Sequence, residues 1–386
     1  MPISYRGLTW DHPRGRDALR AAAALLAEDD VELTWDVQPL EGFESTPLDT
    51  LADTYDLIVM DHPHVGDAVA LGCLRSVEEV FGEGAVADVA ARAVGPSLDS
   101  YHLDGRTWAL PLDAATQVSV MRPDLVETGP QTWDDVLDLA RGGTTALSVS
   151  GPHAYLTYAS VCASLGEPLA IGTADSVVSA SVGEQAFAIL TELARRAPAG
   201  SAEQNPIALL ERMASTDEIG YIPLIYGYVN YADRRAAHPL DFRASPTGPG
   251  DRIGSTIGGT GLAVTRRCEP TEALRRHILW LLGDDAQRTF IPDHAGQPSM
   301  LAAWTDERVN RDSGDFYLRT LPTISGAWVR PRFPGFTQTQ SALSALVRQV
   351  LDGESSPREG ISRMTDLQNA AIARAVGAPS PEGHHA

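Results

Sequence analysis

The 386-residue chain carries 30 Lys and Arg against 51 Asp and Glu, a formal charge of −21, and 43% of its residues are hydrophobic. That length suits two lobes of ordinary domain size better than one core, the apolar content is that of a globular protein, and the acidity excludes nucleic acid and anionic membrane surfaces, which would repel it. Cys73, Cys162 and Cys268 are too widely spaced for a C-x-x-C pattern and read as small buried hydrophobes, and no apolar run reaches the roughly 18 residues of a membrane helix.

Ile3–Trp10 predicts a short strand. Met1 to Arg6 leads straight into it without a secretory signal, so the expected location is cytoplasmic as written, and extracytoplasmic if a signal has been removed. Trp10-Asp11-His12-Pro13-Arg14-Gly15 then joins the strand to a helix over Gly15–Glu28. Helix-start N–H groups with His12 and Arg14 make this turn friendly to anions; alternatively, Pro13 and Gly15 only shape it. Glu32–Val37 alternates as a second strand, and the continuous apolar run Leu57–Met60 marks a strand buried on both faces. Asp61-His62-Pro63-His64 follows at the equivalent strand end. An H-x-H pair beside a carboxylate can contact a ligand, and without a third ligand at fixed spacing no metal is expected. Ligands of open parallel sheets sit outside the carboxyl ends of the strands, where both loops lie.

Further along, Asp104-Gly105 predicts a hairpin turn, followed by a strand that leaves Asp113 near the seam of two lobes. A second strand runs from Gln117 to Arg122-Pro123-Asp124, and Thr132 caps a helix whose first turn holds Asp134 and Asp135. Thr132 to about Ala197 reads as mostly helical. His153 in this stretch is expected to face the cleft with His12, His62, His64 and His294, as acid/base groups or as hydrogen-bond partners of a polar ligand. Ile219–Pro223 is a strand leaving the second lobe. Around Tyr226, Tyr228 and Asn230, tyrosine rings offer flat apolar faces with hydroxyls, suited to a sugar-like ligand or else to hinge packing.

The loop Gly258-Gly259-Thr260-Gly261 runs into a strand ending at Val264. It is neither a Walker loop nor a dinucleotide fingerprint, and it lets backbone N–H groups approach a ligand closely. A helix spans Pro270–Leu282, and Gln297 is placed to present its amide to the cleft. Arg330, with Arg332, is either a carboxylate clamp or, preferably, a structural ion pair in this acidic protein. Gln338–Ala375 reads as two helices and 379–386 as a tail. G-x-S-x-G, H-E-x-x-H and reactive-cysteine signatures are absent.

Taken in order, Asp104–Asp113, Arg122-Pro123-Asp124, Thr132–Ala140, Gly258–Val264, Pro270–Leu282 and Gln287 to Pro298 resemble the family 1 extracellular solute-binding proteins, the sugar-type capture subunits of ABC importers. The resemblance covers nearly the whole chain. It implies a type II periplasmic-binding-like α/β fold, two lobes with a hinged cleft, a crossing near residue 118 and a return near 257. Lobe 1 would be 1–117 plus 258–310 and lobe 2 118–257 plus 311–378. Ligand would be met by Trp10 to Arg14, Asp61 to His64, Asp113 and Tyr226 to Tyr231.

The leading expectation is therefore a monomeric solute-binding protein that closes on a small carbohydrate or hydroxy acid, with ABC permease subunits as partners and no cofactor. The alternative is a cytoplasmic lyase, isomerase or hydrolase using His12, Asp61 and His62 as acid and base.

Overall fold

A computed structural model describes residues 3–40, 42 and 46–377; the expected tail at 379–386 lies outside them. Strand β1 (Ile3–Trp10) ends where Pro13 opens helix α1 (Pro13–Ala23), a residue whose missing N–H is harmless at a helix start. The expected helix to Glu28 stops at Ala23 and tightens into a 3-10 turn over Ala24–Asp29. Strands β2 (Val31–Gln38) and β3 (Leu57–Met60) then flank β1 in parallel register. All four residues of β3 are buried, as its unbroken apolar run requires; each such aliphatic side chain contributes about 1.5–3 kcal/mol relative to exposure.

Two later strands turn this parallel half into a mixed sheet. The hairpin turn at Asp104-Gly105 has positive φ at both residues. Beyond it, the two expected strands are one, β4 (Leu110–Met121), with all 12 residues buried. Strand β6 (Ile257–Thr265) lies antiparallel to both β3 and β4, and β5 (Tyr221–Tyr226) pairs with the far half of β4. The sheet order is β2-β1-β3-β6-β4-β5. Gly258 to Gly261, expected as a loop before a strand, lie within β6 itself.

Two large apolar cores result. The first gathers β1 to β6 with α1, the helix α5 (Glu272–Leu281) and the helix α6 (Phe316–Ser325). The second is built from α2 (Trp133–Leu139), α3 (His153–Ser164), α4 (Ala180–Arg196), α7 (Phe336–Leu351) and α8 (Pro357–Gly377). Thr132 and Asp135 cap α2 reciprocally. Every residue of α3 is buried, so it is the axis of this second group. The molecule thus has two α/β lobes sharing strands.

The segment after α6 ties back to the sheet and to the first helices. Trp328 bridges to the start of β6, its N–H donating to the Ser255 carbonyl (2.7 Å) and its carbonyl accepting from Ile257 N–H (2.8 Å). Farther on, Gly335 N–H donates to Asp67 Oδ1 (2.6 Å). Gly66 is bare because any Cβ there would overlap the Arg332 carbonyl.

Candidate functional site

Strand ends of the first lobe and helix starts of the second face one another across a cavity of about 60 Å3. From β1 and its turn come Trp10 and Arg14; the turn after β3 supplies Asp61, Pro63 and His64. Strand β6 gives Gly258, Gly259 and Thr260, and the end of β5 gives Tyr226 and Tyr228. Opposite lie Pro152, His153 and Leu156 at the start of α3, Arg330 between α6 and α7, and Thr337 and Gln340 in the first turns of α7.

Arg14 is buried to 6% exposure and fully engaged. Its Nε and Nη2 donate to Asp113 Oδ2 and Oδ1 at 2.9 and 3.0 Å, and Nη1 donates to the Gly227 carbonyl at 3.1 Å. The guanidinium also lies over the rings of Trp10 and Tyr228, 5.6 and 4.8 Å from their centroids. The sequence turn makes this possible: His12 Nδ1 caps α1 by accepting from Arg14 N–H (3.2 Å), and its ring stacks on Trp10 (centroids 5.2 Å, 7° between planes). Burial, then the neighbouring Arg14 and Arg16, lower His12 to about 4.

The second pair, Arg330 with Asp61, closes the other side. Arg330 Nη2 donates to both Asp61 oxygens at 2.6 and 2.8 Å, and Nη1 to Gln340 Oε1 at 3.3 Å. Asp61 Oδ1 also accepts from His62 N–H (2.9 Å). Burial pushes the Asp61 carboxyl up, but the Arg330 charge and the His62 contact outweigh it and hold it well below the usual carboxylate range. His62 is wholly buried, and burial followed by the Arg330 charge lowers it to about 3.

Between the pairs, β6 kinks. Gly259 has φ 97°, and its backbone runs so close to the Asp113 carbonyl that a Cβ would not fit. The register against β4 shifts between Thr260 and Gly261. Thr260 N–H therefore reaches Asp113 Oδ1 (2.7 Å), while Thr260 Oγ1, buried and on the cavity wall, has no hydrogen-bond partner among the described residues.

Of the residues expected at the site, Trp10, Arg14, Asp61, His64, His153, Tyr226, Tyr228, Gly259, Thr260 and Arg330 line the cavity. Seven others stand elsewhere, among them His294, whose ring stacks on Phe290 with centroids 4.1 Å apart. Asp11 is at the surface, pairing with Arg16 (2.6 Å). His12 is packed behind Trp10, and His62 beneath Asp61. Asp113 lies behind Arg14. Gln297 supports the wall from behind through Val229 N–H (3.0 Å) and the Ala114 carbonyl (2.8 Å), and Asn230 donates to the Ala295 carbonyl and borders a separate surface groove. Gln340 and Thr337 were missed because one helix turn in a long C-terminal helix carries no local signal of the cleft. Arg330 forms the ion pair that the sequence reading preferred, with Asp61, and also lines the cavity. Among the described residues no group of three metal-ligating side chains occurs, and no helix is long and apolar enough to cross a membrane.

Whole-chain structural comparison decides the architecture. A solute-binding protein of an ABC transporter from Agrobacterium radiobacter K84, in complex with ribitol, superposes with a TM-score of 0.78 at 20% identity, covering 96% of this chain and 100% of its own. This is the ABC-transporter solute-binding fold. Another protein of that kind, from Thermotoga lettingae TMO and bound with alpha-D-tagatose, gives 0.80 at 16% identity over 96% and 100% of the two chains. Maltose-bound MalE3 of T. maritima gives 0.76 at 16% over the same shares. No protein-family model and no curated protein matches the sequence. In the solute-binding fold, the cavity described above lies where the two lobes meet.

Proposed function

We propose that this chain is a solute-binding protein that captures a small polyhydroxylated ligand, a polyol or simple sugar, by closing its lobes around the cavity at Trp10, Tyr226 and Thr260. The observation that carries the reading is the make-up of that cavity. Aromatic faces stand beside Asp61, Arg330 and Thr260, apolar surface for C–H groups next to donors and acceptors for hydroxyls. The fold and the ribitol, tagatose and maltose bound by its structural neighbours support a carbohydrate ligand.

Lobe 1 is taken as 1–117 plus 258–310 and lobe 2 as 118–257 plus 311–378, with the shared strands as the hinge. In this role the protein acts as a monomer on the side of the membrane from which an ABC permease draws its solute. The enzyme reading is not favoured: His12 and His62 are buried off the cavity and held neutral, so neither reaches a ligand as acid or base.

Calorimetry against pentitols, hexitols, monosaccharides and maltose, with small-angle scattering of the free and loaded protein, tests the proposal. Micromolar or tighter binding, a smaller radius of gyration and recovery of the ligand unchanged support it. A ligand returned chemically altered, or no binding across the panel, refutes it.

A further inference from the structure

Resting on the polyol and sugar reading above, we propose that the cleft admits uncharged ligands only and that Asp61 is the specificity-determining residue that turns carboxylates away. A binding site for a carboxylate needs an unspent cation, best a guanidinium fork. Both cavity arginines have spent theirs. Arg14 gives its fork to Asp113 and its remaining nitrogen to the Gly227 carbonyl. Arg330 gives Nη2 to Asp61 and Nη1 to Gln340, and Nε is the one guanidinium nitrogen without a partner among the described residues.

At each helix start around the cavity one N–H is already given away. Arg14 N–H donates to His12 Nδ1 (3.2 Å), Tyr155 N–H to Ser344 Oγ (3.0 Å) and Gly335 N–H to Asp67 Oδ1 (2.6 Å). The formal charge of Arg14, Arg330, Asp113 and Asp61 sums to zero before a ligand enters.

Asp61 breaks the balance in favour of hydroxyls. Its side chain is 18% exposed and lines the cavity, and Oδ2 accepts only from Arg330, so a lone pair remains for a ligand O–H. Arg330 Nε and Thr260 Oγ1 are buried without a partner among the described residues and are not open to the cavity. An alcohol group matches Asp61, since it has an O–H to donate. An ionised carboxylate supplies no donor and brings a second negative charge beside Asp61, a like-charge contact that low local dielectric makes costly.

The test compares ribitol with ribonate and D-mannitol with D-mannonate by calorimetry at pH 7.5. In each pair only the terminal alcohol becomes a carboxylate. Wild-type protein is expected to bind the better alcohol at least about 100-fold more tightly than its acid. Asp61→Asn, which keeps the shape and releases Arg330 from its counter-charge, should narrow that ratio below about 10-fold by strengthening the acid. An acid bound by wild type as tightly as its alcohol overturns the inference and leaves the solute-binding reading standing. If neither polyol binds, the same comparison is made between the tightest-binding monosaccharide of the panel and its uronic acid, and failure of the whole panel removes the solute reading and the inference together. The wild-type ratio needs no variant, so an Asp61→Asn protein that does not fold leaves that comparison decisive.

Discussion

Removing Asp113 tests whether the Arg14 pair is part of the architecture and not merely a contact with ligand. Both side chains are 4% exposed, and Asp113 is the only carboxylate that Arg14 touches among the described residues. Asp113→Ala leaves a guanidinium buried without its counter-charge and strips Thr260 N–H of its acceptor. Breaking a buried pair from one side costs about 3–5 kcal/mol. Unfolding entropy of roughly 2.1 cal/mol/K per residue over 386 residues is about 0.8 kcal/mol/K. The melting temperature should therefore fall by about 4–6 °C in differential scanning calorimetry. Asp11→Ala is the control: Asp11 and Arg16 are 51% and 27% exposed, and such a pair contributes at most about 1 kcal/mol, a shift near 1 °C. Arg14→Met with Asp113→Leu removes both charges and should recover most of the loss. A single Asp113→Ala variant melting within 1 °C of wild type, or a double variant no more stable than the single, refutes the reasoning.

Gly258→Ala places a methyl against the Tyr226 ring; equilibrium dialysis should show ligand affinity at least several-fold lower, with thermal stability nearly unchanged because that ring can swing aside. Gly66→Ala meets backbone, the Arg332 carbonyl, which cannot swing; an overpacking cost of about 1–3 kcal/mol should appear as a lower urea midpoint. Acid should unfold the protein before its carboxylates protonate. His12 and His277 fall from 6.5 to about 4 in the folded state, and His62 to about 3. The unfolded chain thus binds more protons than the folded one below pH 6.5, and stability declines as pH drops from there towards 4. Urea melts at pH 7.5, 6 and 4.5 measure this. His277→Gln should flatten the slope, and an unchanged slope in that variant would show that His277 does not carry it.

Much of this molecule was legible in one dimension. The apolar run Leu57–Met60 could only be a doubly covered strand. Thr132 with Asp135 spelled a helix start, and Asp104-Gly105 a hairpin turn. Those features have local causes in side-chain periodicity, capping and backbone freedom, and their order carried the likeness to the solute-binding proteins. The cavity residues Trp10, Arg14 and Asp61 were also foreseeable, because they follow the carboxyl ends of the parallel strands β1 and β3.

Only the tertiary structure decided how those residues are spent. Asp113 and Arg14 lie 99 positions apart and Asp61 and Arg330 269 apart, separations at which composition says nothing about pairing. Whether a histidine meets the ligand or stacks behind Trp10 depends on a rotation of one residue at a helix cap. The contacts of Trp328 with β6 and of Gly335 with Asp67, and the cavity wall at Gln340, follow from how α7 packs on α3, a long-range contact with no trace in the local pattern. Local chemistry determined the elements and their ends; the pairing of buried charges, which decides what the cleft can hold, was settled only when distant segments met.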